Sequence, residues 1–474
     1  MSASNSNIHV SQRLHSLWVD VRESLAGTQQ DFTTGSLSRA VLLLAIPMVL
    51  ELSMQSVFGI VDVFFVARLG ADAVATVGLT ESILTLVFSI ATGMGVGTTA
   101  FIARRIGEKR PEAAAIAAVQ AIYLGIVLSL PLAVAGLFFT PELLSLMGAS
   151  PQVVEIGTGY NTVMLGGNIT IMLLFLINAV FRGTGDAAIA MRVLWLTNAI
   201  NILLDPLLIF GIGPFPEMGV TGAAVATTLA RGIGIIYQCF VLASTKGRIS
   251  LRHVDLSPFP AVMKNLARIS VGGVLQFLIG TASWIGLVRI IAIFGSSALA
   301  GYTIAIRVIV FAILPSWGMS NAAATLVGQN LGAQQPDRAE RSVWLTALAN
   351  VVFLGVVTVV FVVFAVPISK LFTNDMAVIP YAVDCLRFIS YGYVFYGFGM
   401  VMVQAFNGAG DTYTPTLINL FCYWVFQIPL ALLLALPLGL EANGVFVAIA
   451  VAESILAVIS VLVFRLGRWK GKKI

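Results

Sequence analysis

Ionisable and amide side chains stand inside two long apolar stretches of this chain, and their types and spacing could carry chemistry. The first stretch holds Glu51 and Asp62, whose separation returns a helical side chain to nearly the same face. The second holds Asn201 and Asp205, one helical turn apart, followed by Pro206. Because proline donates no backbone hydrogen bond, a carbonyl one turn earlier is left free. Carboxylate, amide and carbonyl oxygens together suit a proton or a small hard cation such as Na⁺.

The composition places these groups in lipid. Hydrophobic residues make up 58% of the chain and charged residues 10%, which is typical of an integral membrane protein. An ionisable side chain in lipid is costly unless it faces a cavity or a partner, so we expect the acidic side chains to line a cavity. Apolar stretches long enough to cross about 30 Å of hydrocarbon predict twelve spans, at residues 40–67, 74–102, 114–139, 154–181, 188–212, 219–243, 265–293, 298–326, 342–369, 378–406, 413–439 and 443–466.

The second half of the chain repeats the first at a displacement of about 225 residues, so that Gly70 aligns with Gly295. A duplicated hydrophobic bundle is the architecture of a transporter whose halves rock about a site between them. We therefore predict an all-α membrane protein with twelve transmembrane helices in two pseudo-symmetric six-helix lobes. The acidic residues are not duplicated, which assigns the acidic site to the first half: Leu287 stands opposite Asp62, Leu430 opposite Asp205, Phe426 opposite Asn201 and Gln276 opposite Glu51.

The basic residues predict the orientation. Most of the 27 Lys and Arg residues fall in the tails and in the loops on one side, which places both termini in the cytoplasm and the protein in the cytoplasmic (inner) membrane. The net charge of +5 thus reflects topology, and we expect no nucleic-acid or nucleotide partner. The predicted organisation is a tail with an interfacial helix or loose structure (1–39), an N-lobe (40–243), a cytoplasmic linker (244–264), a C-lobe (265–467) and a basic tail (468–474).

Helix direction brings further polar groups to the level of the acidic residues. The first and fifth spans run outward and the fourth and sixth run inward, so Tyr160 and Thr227 share the depth of Asp62 and Asp205. Gln55 lies near the face of Glu51 and Asp62 on the first span, and Met54 with many phenylalanines would provide an adaptable apolar wall. Pro47 permits this span to bend.

At these residues the sequence resembles the multidrug and toxic compound extrusion (MATE) family, in its DinF-like branch, within the MOP flippase superfamily. The resemblance covers residues 33–466. It rests on Val61-Asp62 with Phe65-Val66 and Leu69-Gly70, on Arg182-Gly183-Thr184-Gly185-Asp186, on Asn201-x-x-x-Asp205-Pro206 and on Gly222-Ala223-Ala224-x-Ala226-Thr227.

The resemblance implies multidrug efflux by secondary antiport, in which organic, often cationic and amphipathic compounds leave in exchange for H⁺ or Na⁺ by alternating access. It implies a monomer without an enzymatic activity or a cofactor. The first helix is expected to bend at Pro47. The implied cation-coupling residues are Asp62, Asp205, Asn201, Thr227 and Tyr160, of which Asp62, Asn201, Asp205 and Thr227 could hold Na⁺; the implied substrate-binding residues are Gln55, Asn178, Glu51 and Met54.

Alternatives remain open from the sequence alone. Intramembrane polar groups can serve only to join helices, and Glu51 could pair with Arg231. A lipid or lipid-linked oligosaccharide flippase would present a basic cavity, for which Arg231, Arg289, Arg307 and Arg387 are the candidates. An intramembrane enzyme lacks support because His9, His15 and His253 lie outside the spans, and the one-sided polar set disfavours a passive channel. Further candidate cavity residues are Glu81, Arg307, Asp384 and Glu453.

Overall fold

The computed structural model describes residues 18–27, 30–244, 247–252 and 254–474, and every regular element in these ranges is a helix. The N-lobe contains α1 (Leu37–Val66), α2 (Ala71–Gly107), α3 (Pro111–Phe138), α4 (Pro151–Gly166 and Ile169–Thr184), α5 (Ala187–Phe210) and α6 (Val220–Ala243). The C-lobe contains α7 (Pro260–Ile291), α8 (Ser296–Gly332), α9 (Pro336–Lys370), α10 (Ile379–Tyr391 and Tyr393–Gly408), α11 (Tyr413–Ala435) and α12 (Glu441–Arg465).

The predicted twelve spans are confirmed within the described ranges. Eleven stretches of helix are long and apolar enough to cross a membrane, and the two parts of α10, bent by 58° at their junction, form the twelfth. Helices α2, α8 and α9 extend furthest beyond their predicted spans, because a helix can continue through polar residues once it has left the hydrocarbon. A short helix, Thr140–Leu146, follows α3.

The turns that end the second helix of each lobe show the internal repeat in three dimensions. Lys109 and Gln334, at aligned positions, adopt left-handed conformations with φ of 60° and 59°. Two residues later Pro111 and Pro336 each begin a helix, where the fixed φ of proline and its missing N–H are favourable. The same local sequence chemistry therefore builds the same corner twice.

The two lobes meet through glycines that the repeat relates. A Cβ at Gly93 of α2 would lie 2.2 Å from the backbone nitrogen of Val274 in α7. A Cβ at Gly318 of α8 would lie 2.5 Å from the carbonyl oxygen of Met48 in α1. Only glycine permits helices to cross this closely. The crossings of α2 with α7 and of α8 with α1 are thus equivalent, and they hold the lobes together.

The hydrogen bonds between the lobes lie toward one face of the bundle, which carries residues 30–36, 108–110 and 333–335 and is called here the terminal side. Thr325 Oγ1 donates to the carbonyl of Arg182 over 3.0 Å, and Gln329 Nε2 donates to the carbonyl of Gly183 over 3.0 Å. Both bonds join α8 to the end of α4. In the described part of the chain, the lobes are therefore closed together on the terminal side.

Both tails pack against this side. Residues 18–26 are helical, whereas the rest of the predicted interfacial helix, from Val10 to Leu17, lies outside the described residues. Phe32 is fully buried, and Arg338 at the start of α9 donates to the carbonyls of Phe32 and Thr34. The predicted basic tail is docked, since Trp469 is buried and Arg104 donates to the carbonyl of Lys472.

Candidate functional site

A cavity of about 220 Å³ lies inside the N-lobe, between α1, α2, α4, α5 and α6. It contains most of the polar residues that the sequence predicted to share one level in the membrane. We call it the N-lobe cavity. Its polar lining consists of Gln55, Asp62, Glu81, Tyr160, Thr197, Asn198, Asn201, Thr227 and Arg231.

Asn201 is the centre of the hydrogen-bond network at the wall of the cavity. Its Nδ2 donates to Asp205 Oδ1 over 3.1 Å and to Thr227 Oγ1 over 3.0 Å. Asn201 and Asp205 are one turn apart on α5, which places them on one face, and Thr227 enters from α6. The three side chains are buried. The predicted association of these residues is therefore present.

Asp205 lies behind Asn201 and is fully buried. Its Oδ2 and the Oδ1 of Asn201 have no hydrogen-bond partner among the described residues. Unsatisfied buried oxygens are costly and rare in native structures. Two such oxygens on hydrogen-bonded side chains provide acceptors without donors, which suits a proton or a small cation with oxygen ligands.

Asp62 of α1 faces the same cavity and interacts electrostatically with Asp205. Tyr160 and Arg231 lie close enough to Asp62 for electrostatic interaction, although no ion pair within 4.0 Å joins Arg231 to an acid among the described residues. Glu81 of α2 also lines the cavity and interacts electrostatically with Arg307 of α8 in the C-lobe. The cavity therefore combines several carboxyl groups with one lining cation, and its charge depends on how many protons it holds.

Glu51 does not belong to this cavity, and the suggested pairing with Arg231 is wrong. Glu51 accepts a hydrogen bond from Arg182 over 2.9 Å, and its side chain is only 4% exposed. The predicted fourth span ends at residue 181 and therefore leaves Arg182 just outside it. The last turn of α4 nevertheless includes it, and its long side chain reaches back along the helix into the bundle.

The repeat carries a neutral version of this pair. Gln276 aligns with Glu51 and Asn407 with Arg182. Gln276 Nε2 donates to Asn407 Oδ1 over 3.0 Å, and Asn407 Nδ2 donates back to Gln276 Oε1 over 3.2 Å. Both members of the pair change together between the lobes. That paired change is a signal in the sequence that could have identified the partner of Glu51.

The remaining predicted residues fall at different places. Gln55 lines the N-lobe cavity and also a cavity of about 150 Å³ between the lobes. Asn178 is buried and accepts a hydrogen bond from Gln238 of α6 over 2.7 Å, and it lines neither of these cavities. Met54 contributes its backbone carbonyl, which Asn198 approaches at 3.5 Å. Pro47 stands inside α1, which is continuous from Leu37 to Val66 in this structure.

More than half of the chain matches a known protein family. A family model described as MatE matches residues 47–207 and 271–433. An FAD transporter of Shewanella oneidensis is 27% identical over 413 residues, which cover 85% of this chain and 91% of the relative. A probable multidrug resistance protein, NorM, of Thermotoga maritima is 27% identical over 443 residues, which cover 92% of this chain and 94% of the relative.

Solved structures show the same architecture. An outward-facing multidrug resistance MATE family transporter of the MOP superfamily superimposes with a TM-score of 0.86 at 27% identity, covering 93% of this chain and 98% of that one. A MOP superfamily transporter from Pyrococcus furiosus, described as having a binding pocket of reverse polarity, gives 0.85 at 26% identity, covering 93% and 98%. The family model matches one segment in each lobe and more than half of the chain, so the chain belongs to the MatE family, whose members are transporters and not enzymes.

Proposed function

We propose that this protein exports organic, mainly cationic and amphipathic compounds from the cytoplasm in exchange for inward H⁺ or Na⁺. The observation that carries the proposal is the buried group of Asp205, Asn201 and Thr227 beside Asp62. In this group one carboxylate oxygen, of Asp205, and one amide oxygen, of Asn201, have no hydrogen-bond partner among the described residues. Relatives of similar identity named as multidrug resistance proteins support the class of cargo. The proposed location is the cytoplasmic membrane, with the terminal side facing the cytoplasm and the protein acting as a monomer.

The proposed coupling is a competition for negative charge. When Asp62 and Asp205 are ionised, the N-lobe cavity attracts a cationic compound. A proton or Na⁺ that arrives from outside neutralises the carboxyl groups, so the attraction is lost and the compound leaves. A cargo and a coupling ion that prefer different states drive alternating access, because each shifts the population toward the state it binds better.

The coupling ion is a cargo that moves through the site. Na⁺ would take oxygen ligands from Asp62, Asn201, Asp205 and Thr227, whereas a proton needs only a carboxylate. We further propose that α1 bends at Pro47 when the carboxyl groups are neutralised, since Asp62 lies on this helix and Pro47 leaves its ladder one hydrogen bond short.

The lipid flippase alternative requires a basic cavity. Of the four arginines that the sequence places within spans, only Arg231 lines the N-lobe cavity, and it shares that cavity with acidic residues. Arg182 lines the cavity between the lobes, and Glu51 accepts its hydrogen bond. Arg387 instead donates to the carbonyl of Val362 over 3.3 Å. This distribution does not favour an anionic lipid headgroup as the cargo.

The test is dye efflux from reconstituted liposomes. A pH gradient and a Na⁺ gradient are imposed separately on the wild type, Asp205→Asn and Asp384→Asn. Asp384 is the matched control, because it is an aspartate within the C-lobe that accepts a hydrogen bond from Asn443 over 3.2 Å and lines neither lobe's cavity. We expect one gradient to drive efflux, Asp205→Asn to lose it at least tenfold and Asp384→Asn to retain it.

Two outcomes contradict the proposal. Gradient-driven efflux that is unchanged in Asp205→Asn would remove the N-lobe carboxyl from the coupling. Transport of FAD without transport of any cationic dye would show that the cargo resembles that of the Shewanella oneidensis relative, which is named an FAD transporter. FAD uptake should therefore be measured on the same liposomes.

A further inference from the structure

The C-lobe contains a cavity of about 250 Å³ at the place that the repeat relates to the N-lobe cavity. Aligned residues line both cavities, but the polar ones differ. Leu287 replaces Asp62, Ile306 replaces Glu81 and Tyr423 replaces Asn198. Comparison of aligned positions alone therefore suggests that the C-lobe cavity is uncharged.

The cavity nevertheless contains one carboxyl group, that of Glu453 on α12. Glu453 is one of the candidate cavity residues named from the sequence, but it aligns with Thr228, so the repeat itself gives no indication of this carboxyl group. Its Oε2 is buried without a hydrogen-bond partner among the described residues, and Tyr423 lies within hydrogen-bonding reach of the carboxyl group. No Arg, Lys or His occurs in the described lining, so no basic side chain of the lining neutralises the carboxylate.

Aromatic residues line the same cavity, and two of them, Tyr396 and Tyr423, interact electrostatically with the carboxyl group. Trp284 Nε1 donates to Tyr302 Oη over 2.7 Å, which holds both rings in the wall. Tyr393 is 1% exposed, and its hydroxyl has no partner in the described part of the chain. Two lining residues of one cavity, Tyr393 and Glu453, thus each have a buried polar atom without a hydrogen-bond partner among the described residues. The aromatic residues of the lining are Trp284, Tyr302, Tyr393, Tyr396 and Tyr423.

The backbone beside the cavity has an unusual form. Residues Leu420–Gln427 of α11 form a π-helix of eight residues, whereas π-helical segments are rare, usually a single turn, and frequent at functional sites. The segment directs both Tyr423 and Gln427 into the cavity. Gln427 Oε1 is held in place there by Ser283 Oγ, which donates over 3.1 Å.

We propose that the C-lobe cavity is a binding site for a small quaternary or tertiary ammonium compound, held by the Glu453 carboxylate and the faces of the surrounding rings. Aromatic faces attract cations, and cages of such rings recognise quaternary ammonium groups. An unneutralised carboxylate adds the charge that selects a cation over a neutral molecule of equal shape. This site goes beyond the proposed function, which uses the N-lobe cavity alone.

Equilibrium binding to the purified full-length protein in detergent tests the proposal. The probe is phenyltrimethylammonium, titrated by calorimetry at alkaline pH in the Asp205→Asn background, which removes a carboxyl group of the N-lobe site. We expect Glu453→Gln to weaken binding at least tenfold, and Asp384→Asn, the C-lobe control outside the cavity, to leave it unchanged. The uncharged isostere tert-butylbenzene should bind at least tenfold more weakly than the cation.

Unchanged affinity in Glu453→Gln, or equal affinity for tert-butylbenzene, would overturn the proposal. If Glu453→Gln does not fold, Tyr396→Leu retains the carboxyl group and removes one ring of the wall, and an affinity within twofold of its parent would be equally contradictory. The titration uses no ion gradient. Absence of coupled efflux would therefore not affect the conclusion about the C-lobe site, and absence of binding to the C-lobe site would not affect the conclusion of the efflux test.

Discussion

The Glu51–Arg182 ion pair permits a stability prediction, because the aligned residues of the other lobe form an uncharged pair. We expect Glu51→Gln and Arg182→Asn to destabilise the protein when introduced singly and to compensate each other when combined. The double variant recreates in the N-lobe the amide pair that Gln276 and Asn407 form in the C-lobe. Because the backbones of the two lobes are related by the repeat, the shorter side chains should reach each other.

The magnitude follows from the burial of each partner. Removing one member of a buried ion pair costs about 3–5 kcal/mol. Arg182→Asn leaves the Glu51 side chain unpaired at 4% exposure, so its loss of stability should be near the upper end of this range. Glu51→Gln leaves the Arg182 side chain at 17% exposure beside the cavity between the lobes, so its loss should be near the lower end. The double variant leaves no buried charge and gains amide hydrogen bonds worth about 1 kcal/mol each. We expect it to recover at least half of the summed losses.

The assay is the free energy of unfolding in mild detergent, obtained by denaturant titration for the wild type, both single variants and the double variant. Glu108→Gln is a control at the more exposed Arg105–Glu108 pair, which joins at 2.7 Å and should cost less than about 1 kcal/mol. Additive losses in the double variant would refute the reasoning, because they would show that each residue is needed separately and that the repeat does not define interchangeable pairs.

Three further predictions follow from other contacts. Thr227→Val removes the hydroxyl that accepts a hydrogen bond from Asn201. It should weaken the apparent affinity for the coupling ion about fivefold to tenfold, the equivalent of one buried hydrogen bond, while maximal efflux is retained. Unaltered dependence of efflux on the ion concentration in the liposome assay would contradict this prediction. Gly93→Leu should prevent the lobes from closing on the terminal side, increasing the labelling of cysteines introduced there, and unchanged labelling would oppose it. Burial opposes ionisation of Asp31, but hydrogen bonds from Lys109 and Thr33 outweigh it and lower the pKa of Asp31 to about 2. A lowered pKa stabilises the folded state above the unfolded value near 3.8 and ceases to do so as pH falls through about 2. Docking of the segment around Asp31, followed by an attached fluorophore, should therefore weaken as the pH falls across that window. Lys109→Gln should lose this pH dependence.

The spans and the repeat could be predicted because they depend on quantities that the sequence carries directly. The length of an apolar stretch determines whether a helix can cross the bilayer, and the duplicated glycines mark where helices approach closely. The group of Asn201, Asp205 and Thr227 was predictable for a related reason, since one-turn spacing and helix direction set the face and the depth of a side chain.

The contacts that escaped prediction depend on side-chain reach and on rotation about a helix axis. Arg182 follows the apolar stretch of α4, so its charge suggests a loop, and only the length of its side chain brings it to Glu51. Asn178 has the polarity of a ligand for the cargo, but the rotation of α4 directs it to Gln238. Glu453 is predicted only as a candidate cavity residue, and it lines the C-lobe cavity. Its surroundings could not be predicted, because the repeat places Glu453 opposite Thr228 and a π-helix in the neighbouring α11 alters the wall of the cavity.

The differences between the lobes are therefore concentrated in side chains that stand on nearly the same backbone. At the level of the cavities, Asp62 has become Leu287 and Thr228 has become Glu453; nearer the terminal side, the Glu51–Arg182 pair has become Gln276–Asn407. In the proposed exchange, cargo and coupling ion compete for the carboxyl groups of the N-lobe cavity, and the proposed C-lobe site, with one carboxylate beside aromatic residues, is separate from it. The duplicated scaffold can hold two different sites because the chemistry of each cavity depends on a few side chains and not on the backbone.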